Sequence, residues 1–350
     1  MGRIVAVTNL KGGIGKTTTV VNVSAGLALK GARVLLVDVD AQGNLSMALG
    51  VRPRRTLYEV LVDGARATDC LTAVRPNLDL LAADESLLTA QPTIARRPDW
   101  PRVLEQALRP LRASYEFIFV DCGGSLTVLN LNALNAASDV IVPTTVEPFS
   151  LKGLEMLIAQ IGRVKGSAGS LRAIVPTLFD PRRRQSVELL GELQTRYGDL
   201  VTAPVRVNVR LSESSALGKT IYEYDPRSRG AIDYAQLVEH LSALWGFAPQ
   251  AAPAPAPMPA IPQTTRAPEP IPAAPQPQPS VEARPQPPLL EQVQPVSAPA
   301  PVVTGAGNML SLSCPNCGGP LRRATVAGYR VAYCDTCKYR RQELAAGGRR

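Results

Sequence analysis

The sequence predicts an α/β protein in which a doubly wound, mostly parallel sheet carries a phosphate-binding loop and is followed by a tether and a small four-cysteine module. A glycine-rich loop at residues 10–18 lies between an apolar run and a helical pattern. Strand and helix patterns then alternate as far as residue 247, where the composition becomes rich in proline and alanine. Such alternation indicates βαβ units with helices on both faces of a parallel sheet.

The first βαβ unit is predicted at the start of the chain. Arg3–Asn9 is a short apolar run suited to a buried strand, and Thr17–Lys30 has apolar residues at helical spacing. Gly31 stands where a helix stop is expected, and Arg33–Val39 reads as a second buried strand. Further strands of the same sheet are predicted at three later apolar runs: 115–121, 140–144 and 171–176.

The loop reads Leu-Lys-Gly-Gly-Ile-Gly-Lys-Thr-Thr and has the features of an ATP-binding phosphate loop. Its glycines let the backbone point successive N–H groups at phosphate oxygens, and the following helix adds its positive end. Lys16 can reach the β- and γ-phosphates, and the Thr17 hydroxyl can bind Mg²⁺. The predicted nucleotide-binding residues are Gly12, Gly13, Gly15, Lys16, Thr17 and Thr18. Lys11 is not needed for any of this and requires a separate explanation.

Carboxylates follow two of the predicted strands, at the position where α/β proteins bind ligands. Asp38 and Asp40 are two residues apart at the end of the second strand, so on an extended chain they share a face. One of them could contact the Mg²⁺ shell while the other orients a water molecule. Asp121 ends another apolar run and is the candidate Walker B carboxylate, which acts on Mg²⁺-bound water.

Composition divides the chain into three parts. Of the 32 prolines, 18 lie between Pro249 and Pro301, in a segment of Pro, Ala and Gln. Such a segment cannot bury enough apolar surface to fold, so residues 248–308 are predicted to be a disordered tether between domains at 1–247 and 309–350. The last part holds 8 Lys and Arg against 2 Asp and Glu, which suggests an anionic partner for the tail.

The tail contains two CxxC pairs separated by sixteen residues. This spacing predicts a zinc-ribbon-like site with four thiolate ligands, brought together by a hairpin between the pairs. The predicted Zn²⁺ ligands are Cys314, Cys317, Cys334 and Cys337. Iron in a rubredoxin-like site is the alternative. Basic and tyrosine residues alternate from Arg322 to Arg341, so contact with nucleic acid and docking of a protein are both open for this module.

The chain has no apolar run of 18 residues and no signal-peptide pattern, so we expect a cytoplasmic protein without membrane contact. Six cysteines in such a chain fit a reducing compartment. Cys70 and Cys122 are expected to be buried thiols. The only histidine, His240, is expected on a helix surface.

Together the motifs make residues 1–247 resemble the ParA/Soj branch of the MinD-type deviant Walker A ATPases. The matching segments are the loop with its second lysine, Asp38–Asn44, Asp121-Cys122, Val209–Glu213 and Tyr224–Gly230. The resemblance implies an ATPase that forms an ATP-sandwich homodimer, binds DNA without sequence preference and is stimulated by a ParB-like partner. Such a protein would position DNA cargo at the nucleoid.

The resemblance also implies a role for each site residue. Lys11 would reach across the dimer to the other subunit's phosphates, so it joins Lys16 and Asp40 as a catalytic residue. A second cation at the γ-phosphate stabilises charge during transfer, and its supply in trans couples dimerisation to ATP. Asp40 would position the attacking water. The Mg²⁺ shell is expected to comprise Thr17, Asp38 and Asp121.

Relatives contact the DNA backbone through arginines in two regions of the chain. In this sequence those regions hold Arg182, Arg183, Arg184, Arg206 and Arg210. Guanidinium groups bind phosphate and read no sequence, so the binding should be non-specific and salt-sensitive. A solvated arginine face without a ligand is the alternative.

The sequence departs from the family pattern at several points. Gly123-Gly124 replaces the usual two prolines, which should loosen a loop next to the γ-phosphate, and Arg206-Val207 replaces a common Pro-Arg. No helix-turn-helix extension precedes the first strand, so sequence-specific autorepression is not expected. The other function classes are a MinD-like positioning ATPase acting on a membrane surface or protein cargo, and an iron–sulfur carrier ATPase. Gln342–Arg350 lacks the amphipathic face that the membrane alternative needs.

Overall fold

The computed structural model describes most of the globular part of the chain and portions of the tail: residues 2–248, 313–314, 317–326, 329–337 and 340–343. The chain divides into two compact units, Met1–Pro262 and Gln263–Arg350. This division falls within the predicted tether, residues 248–308, which lies outside the described residues except for Ala248.

Seven strands form the sheet of the first unit. They are β1 (Arg3–Val7), β2 (Val34–Asp38), β3 (Leu71–Arg75), β4 (Leu78–Leu81), β5 (Phe117–Asp121), β6 (Asp139–Thr145) and β7 (Leu171–Thr177). Their order across the sheet is β3-β4-β2-β5-β1-β6-β7. Of these seven, only the edge strand β3 runs antiparallel to its neighbour. The predicted mostly parallel sheet is confirmed.

Helices connect the strands and cover the sheet. They are α1 (Lys16–Leu29), α2 (Asn44–Leu49), α3 (Leu57–Leu61), α4 (Leu87–Ala95), α5 (Val103–Leu108), α6 (Val128–Ala136), α7 (Pro148–Lys165), α8 (Arg184–Tyr197), α9 (Val209–Ala216), α10 (Ile221–Tyr224) and α11 (Arg229–Trp245). α1 ends just before Gly31, whose φ of 93° turns the chain, as the sequence predicted.

Alternate residues of the central strands enter two hydrophobic clusters, one on each face of the sheet. In β2, Leu35 and Val37 belong to one cluster, and Val34 and Leu36 belong to the other. All four side chains are fully buried, which stabilises the fold by about 1.5–3 kcal/mol for each side chain. Helices α5, α6 and α7 contribute to the first cluster, and α1 and α11 to the second. The fold is therefore doubly wound.

The parallel strands bring their carboxyl ends to one edge of the sheet. Asp38 ends β2 and Asp121 ends β5, and the two residues are register partners in adjacent strands. The loop between β1 and α1 emerges at the same edge, because β1 pairs with β5 in parallel register. The predicted phosphate loop and the predicted carboxylates therefore meet at this edge.

The second unit contains an antiparallel sheet of β8 (Leu321–Val326), β9 (Tyr329–Cys334) and β10 (Arg340–Glu343), in the order β10-β9-β8. Leu321 pairs with Cys334, so the β8–β9 hairpin predicted between the two CxxC pairs is present. Lys338 and Tyr339, from the predicted basic and aromatic set, lie outside the described residues.

Candidate functional site

The glycine-rich loop between β1 and α1 is shaped by left-handed backbone angles. Gly13 has a φ of 70°, and Gly15, which precedes α1, has a φ of 85°; side chains other than glycine rarely adopt these angles. A Cβ added at Gly12 or Gly13 would meet no atom within 4 Å, so open space borders the loop backbone. The Thr177 hydroxyl, at the end of β7, donates to the Ile14 carbonyl at 2.7 Å and fixes the loop to the sheet.

A cleft of about 600 Å³ lies against this loop, a size within the range of small-molecule sites. It is lined by all six residues that the sequence assigned to the nucleotide: Gly12, Gly13, Gly15, Lys16, Thr17 and Thr18. Asp40 lines it as well. The sequence did not single out four other polar lining residues, Gln91, Ser125, Thr127 and Asn130, or the apolar Leu88.

Lys16 opens α1 and is buried beneath the loop, with 8% of its surface exposed. Its Nζ donates to the Lys11 carbonyl oxygen at 2.8 Å. Burial lowers the pKa of Lys16, and the Asp121 carboxylate opposes that shift. A phosphate entering the cleft would meet a poorly solvated ammonium group, which strengthens the attraction between the two charges.

Thr17 and Asp121 form a candidate Mg²⁺ site at the base of the cleft. The Thr17 hydroxyl donates to Asp121 Oδ2 at 2.7 Å, whereas Asp121 Oδ1 is buried and accepts no hydrogen bond from the described residues. Burial and the neighbouring Asp38 carboxylate raise the pKa of Asp121 well above its usual range. An orphaned carboxylate oxygen beside a hydroxyl is a donor set that a hard divalent cation would satisfy.

Asp38 has a different environment from Asp121, although the two lie side by side. Its Oδ1 accepts the Asp40 N–H at 2.9 Å, and its Oδ2 accepts the Leu45 N–H at 3.1 Å. Burial raises the pKa of Asp38 to about 7 against the effect of these two bonds. Both oxygens are thus engaged by backbone, so the geometry favours Asp121 over Asp38 as the direct Mg²⁺ ligand.

Asp40 is partly exposed on the wall of the cleft. Its Oδ1 accepts the Gln42 N–H at 3.1 Å, which orients the carboxylate. A Cβ added at Gly123 would lie 3.2 Å from Asp40 Oδ2, so the chain after β5 passes directly beside this oxygen. The arrangement leaves a carboxylate at the edge of the cleft that can accept a hydrogen bond from water.

The Gly123-Gly124 segment packs closely against the phosphate loop. A Cβ added at Gly124 would lie 3.2 Å from the Gly12 nitrogen, closer than most side chains tolerate. The Asn130 side chain accepts the Gly123 N–H at 3.2 Å and donates to the Gly123 carbonyl at 2.9 Å. The sequence suggested that these two glycines would loosen their own segment. They also let that segment approach the backbone of the phosphate loop closely, and the Asn130 side chain holds the segment in place.

Lys11 stands at the entrance of the phosphate loop, with 47% of its side chain exposed. Its backbone N–H donates to Asn9 Oδ1, and its Nζ donates to Glu147 Oε2 at 2.6 Å and to Thr145 Oγ1 at 3.4 Å. The ammonium group therefore points to the segment after β6. Sequence reasoning missed Glu147, although a carboxylate just after a parallel strand is the signal that identified Asp38.

The two arginine regions are neighbours in the fold. Phe179 and Arg206 form a parallel β-bridge, and the Val207 N–H donates to the Phe179 carbonyl. Four of the five arginines form ion pairs: Arg182–Asp180, Arg184–Glu188, Arg206–Asp233 and Arg210–Glu213.

These ion pairs differ in strength. Arg182 and Arg184 have side chains that are 85% and 93% exposed, and exposed pairs contribute little stability. Arg183 is exposed as well. Arg206 instead donates both its backbone N–H and its guanidinium to Asp233, which is buried. Arg206 is therefore the least available of the five for a phosphate.

The four tail cysteines lie together. Their sulfur atoms are all within 4.8 Å of one another, with Cys314 and Cys337 at 3.4 Å and Cys317 and Cys334 at 3.5 Å. Four thiolates around one Zn²⁺ at about 2.3 Å would stand ~3.8 Å apart, so the cluster fits this metal. The first pair is held by a tight turn in which the Gly318 N–H donates to the Cys314 carbonyl at 2.8 Å.

The remaining residues singled out by the sequence have structural positions. Cys70 and Cys122 are buried thiols, as expected, and burial raises the pKa of both. His240 lies exposed on α11. Among the described residues, no helix combines the length and the apolar character that crossing a membrane requires.

Comparison with known proteins places this site in context. A family model described as an AAA domain matches residues 2–172. Over 255 residues the chain is 38% identical to the sporulation initiation inhibitor protein Soj of Bacillus subtilis, a match that covers 69% of this chain and 99% of Soj. Over 249 residues it is 37% identical to the chromosome partitioning protein ParA of Caulobacter vibrioides, covering 68% and 93% of the two chains.

Solved structures show the same fold with nucleotide and magnesium bound. The cobyrinic acid a,c-diamide synthase of Mycobacterium smegmatis, with an ATP analogue and magnesium, matches with a TM-score of 0.61 at 32% identity, over 70% of this chain and 96% of that one. The septum site-determining protein MinD of Pyrococcus horikoshii, with Mg-ADP, matches with a TM-score of 0.60 at 26% identity, over 70% and 98%. The cleft described above belongs to this nucleotide-binding fold.

Proposed function

The chain belongs to the ParA/Soj family of partitioning ATPases, and we propose that ATP binding assembles it into a homodimer that holds DNA without sequence preference. Hydrolysis, stimulated by a ParB-like partner, would dismantle the dimer and release the DNA. The observation that carries this proposal is the second lysine of the loop. The Lys11 ammonium contacts Glu147 and does not line its own cleft, so within its own subunit it has no task toward the phosphates.

Within one subunit the residues have distinct tasks toward ATP. The loop N–H groups and Lys16 would hold the phosphates, because they converge on the cleft at the positive end of α1. Thr17 and Asp121 would hold Mg²⁺, with Asp38 orienting the neighbouring backbone. When bound, Mg²⁺ neutralises charge on the phosphate oxygens.

Asp40 and Lys11 would act on the transferred phosphoryl group. The Asp40 carboxylate, held through one oxygen by the Gln42 N–H, can orient a water molecule with the other. Lys11 from the second subunit would add positive charge where negative charge is concentrated during transfer. Dimerisation would then be coupled to ATP, because the phosphates bind Lys16 of one subunit and Lys11 of the other.

DNA binding is proposed for the surface that joins the two arginine regions. Arg182, Arg183 and Arg184 offer exposed guanidinium groups beside the strand-like segment that leads to Arg210. We expect Arg206 to contribute least, because it would have to leave Asp233 to bind a phosphate. Association with the nucleoid would follow from such non-specific binding.

DNA binding by the wild-type protein and the Lys11→Ala variant tests this function. The wild type should bind non-specific duplex DNA only with ATP, and its affinity should fall by about 10³-fold or more between 50 and 200 mM salt. Lys11→Ala should keep its ATP affinity within about twofold but remain monomeric and bind DNA at least ~10-fold more weakly, because the dimer doubles the phosphate contacts. Light scattering would measure dimerisation, and fluorescence anisotropy would measure DNA binding.

The matched control is Lys30→Ala, which removes a lysine at the other end of α1 that pairs with Glu239. It should dimerise and bind DNA like the wild type. DNA binding with the same affinity in the presence and absence of ATP would contradict the proposal. A Lys11→Ala variant that dimerises normally would contradict it as well. Binding to anionic vesicles instead of DNA would favour the MinD-like alternative.

For the tail we propose a structural Zn²⁺ site on Cys314, Cys317, Cys334 and Cys337. The compact sulfur cluster and the hairpin that aligns it support this proposal. A unit of this size has too small a core to fold without help, so the metal would supply much of its folding free energy. Bound iron, either rubredoxin-like or in an iron–sulfur carrier, would require a coloured protein.

Replacing Cys317 by serine should remove the metal without affecting ATP turnover. We expect one zinc per chain in the wild type and at least ~10-fold less zinc retention in Cys317→Ser, because one thiolate of four is lost. Hydrogen exchange in β8 and β9 should accelerate, while the ATPase rate should stay within about twofold. Cys70→Ala, which removes a buried thiol outside the cluster, is the control that keeps its zinc. A chromophore, or a wild type without zinc, would refute the assignment.

A further inference from the structure

The contact between Lys11 and Glu147 gives Glu147 a role that none of the motifs assigns. We propose, on the basis of the proposed function, that Glu147 holds Lys11 within its own subunit and that opening this contact is a step in dimer assembly. Glu147 would then be a positioning residue that sets how much ATP-bound protein is needed before dimers form.

The contact is built from several groups around the end of β6. Lys11 Nζ donates to Glu147 Oε2 at 2.6 Å, and the Thr145 hydroxyl lies 3.4 Å from Nζ and 3.3 Å from the same carboxylate oxygen. Thr145 Oγ1 is in turn 2.7 Å from the Ser150 hydroxyl. The Thr145 hydroxyl, itself paired with Ser150, therefore orients the carboxylate that receives the ammonium group.

Glu147 neither caps a helix nor lines the nucleotide cleft, so its carboxylate can bind Lys11. It directly precedes α7, yet among the described residues its carboxylate caps no backbone N–H of that helix, and Pro148 has no N–H to offer. It is not among the residues that line the nucleotide cleft. The hydrogen bond from Lys11 lowers the pKa of Glu147, so this carboxylate is charged at neutral pH.

The Lys11 ammonium cannot bind both Glu147 and a phosphate of the partner subunit at the same time. A subunit is closed when Lys11 contacts Glu147 and open when it does not. An ion pair with side chains 47% and 46% exposed raises the ratio of closed to open subunits by roughly 1.4- to 5-fold, the range measured for exposed pairs. Because the contact changes this ratio by that factor, it lowers the apparent affinity by at most the same factor for each lysine, and a symmetric dimer opens two. The contact would therefore weaken dimerisation by roughly 2- to 25-fold at most.

The test is the ATP-dependent dimerisation constant of the full-length Glu147→Gln variant. Glutamine keeps the size and one carbonyl oxygen but removes the charge, so its dimer should form at a protein concentration roughly 2- to 25-fold lower than the wild-type dimer needs. ATP affinity of the monomer and the thermal unfolding midpoint should not change, since Glu147 neither lines the cleft nor caps α7. Glu147→Asp should restore part of the wild-type behaviour.

The matched control is Glu155→Gln in α7, which breaks the exposed ion pair between Glu155 and Arg196 of α8 and should leave dimerisation unchanged. A Glu147→Gln dimer that is equally stable or weaker, while Lys11→Ala still abolishes dimerisation, would overturn the inference and leave the proposed function intact. Dimerisation that survives Lys11→Ala would instead refute the trans role of Lys11, and the inference with it.

Discussion

Replacing Lys16 by alanine is expected to abolish ATP binding, with an affinity loss of at least about 10²-fold. A charge-assisted bond to a phosphate contributes about 1.5–3 kcal/mol. Lys16 can donate to two phosphates, and its side chain is buried, with 8% of the residue exposed. The variant also loses the bond from Nζ to the Lys11 carbonyl, which spans the loop. Equilibrium titration with a fluorescent ATP analogue would measure the loss.

The control for this variant is again Lys30→Ala, because it makes the same change at the opposite end of the same helix. It should bind ATP within about twofold of the wild type. The Lys16→Ala protein should unfold at nearly the same temperature, since burial lowers the pKa of Lys16 and its ammonium contributes little to folding. A folded Lys16→Ala variant with wild-type ATP affinity would refute the assignment of the loop.

The central sheet could be predicted from the sequence because its strands are short apolar runs that alternate with helical patterns. Arg33–Val39 contains β2, and the predicted Arg3–Asn9 contains β1. The β3–β4 hairpin could not be predicted in this way. Its strands have five and four residues, β3 is only partly buried, and the turn depends on Asn77 with a φ of 62°. Such short amphipathic segments lack a clear period.

The site was predictable where its chemistry lies in contiguous motifs. Lys16, Thr17, Asp40 and Asp121 come from three such motifs, and the fold brings them to one edge of the sheet. Contacts between distant segments were not predictable. Thr177 meets the loop across 163 residues, and no local pattern specifies a threonine hydroxyl as the partner of the Ile14 carbonyl.

Replacing Asp40 by alanine is expected to leave ATP binding and dimerisation intact while hydrolysis falls by about 10²- to 10⁴-fold. A positioned acid–base or water-orienting group accelerates a reaction by this factor, and Asp40 is the partly exposed carboxylate on the wall of the cleft. Asp38 and Asp121 cannot replace it easily. They are buried, and the Asp38 oxygens already accept two backbone N–H groups.

Three measurements on the Asp40 variants separate catalysis from structure. Single-turnover hydrolysis should be slow in Asp40→Ala, while light scattering should show dimers that persist after ATP is added. Asp40→Asn should be nearly as slow although it can still accept the Gln42 N–H, because an amide is a weaker acceptor toward water than a carboxylate. Asp69→Ala, which removes an exposed carboxylate paired with Arg66 outside the cleft, should hydrolyse ATP normally.

The persistence of the Asp40→Ala dimer also bears on Lys11. If hydrolysis is what returns Lys11 to Glu147, a variant that cannot hydrolyse ATP should keep Lys11 on the partner's phosphate and bind DNA continuously. Adding Glu147→Gln to Asp40→Ala should then lower the concentration at which dimers form without changing their slow turnover. Normal turnover in Asp40→Ala would move the water-orienting role to another group, and rapid loss of its dimers would show that release does not depend on hydrolysis.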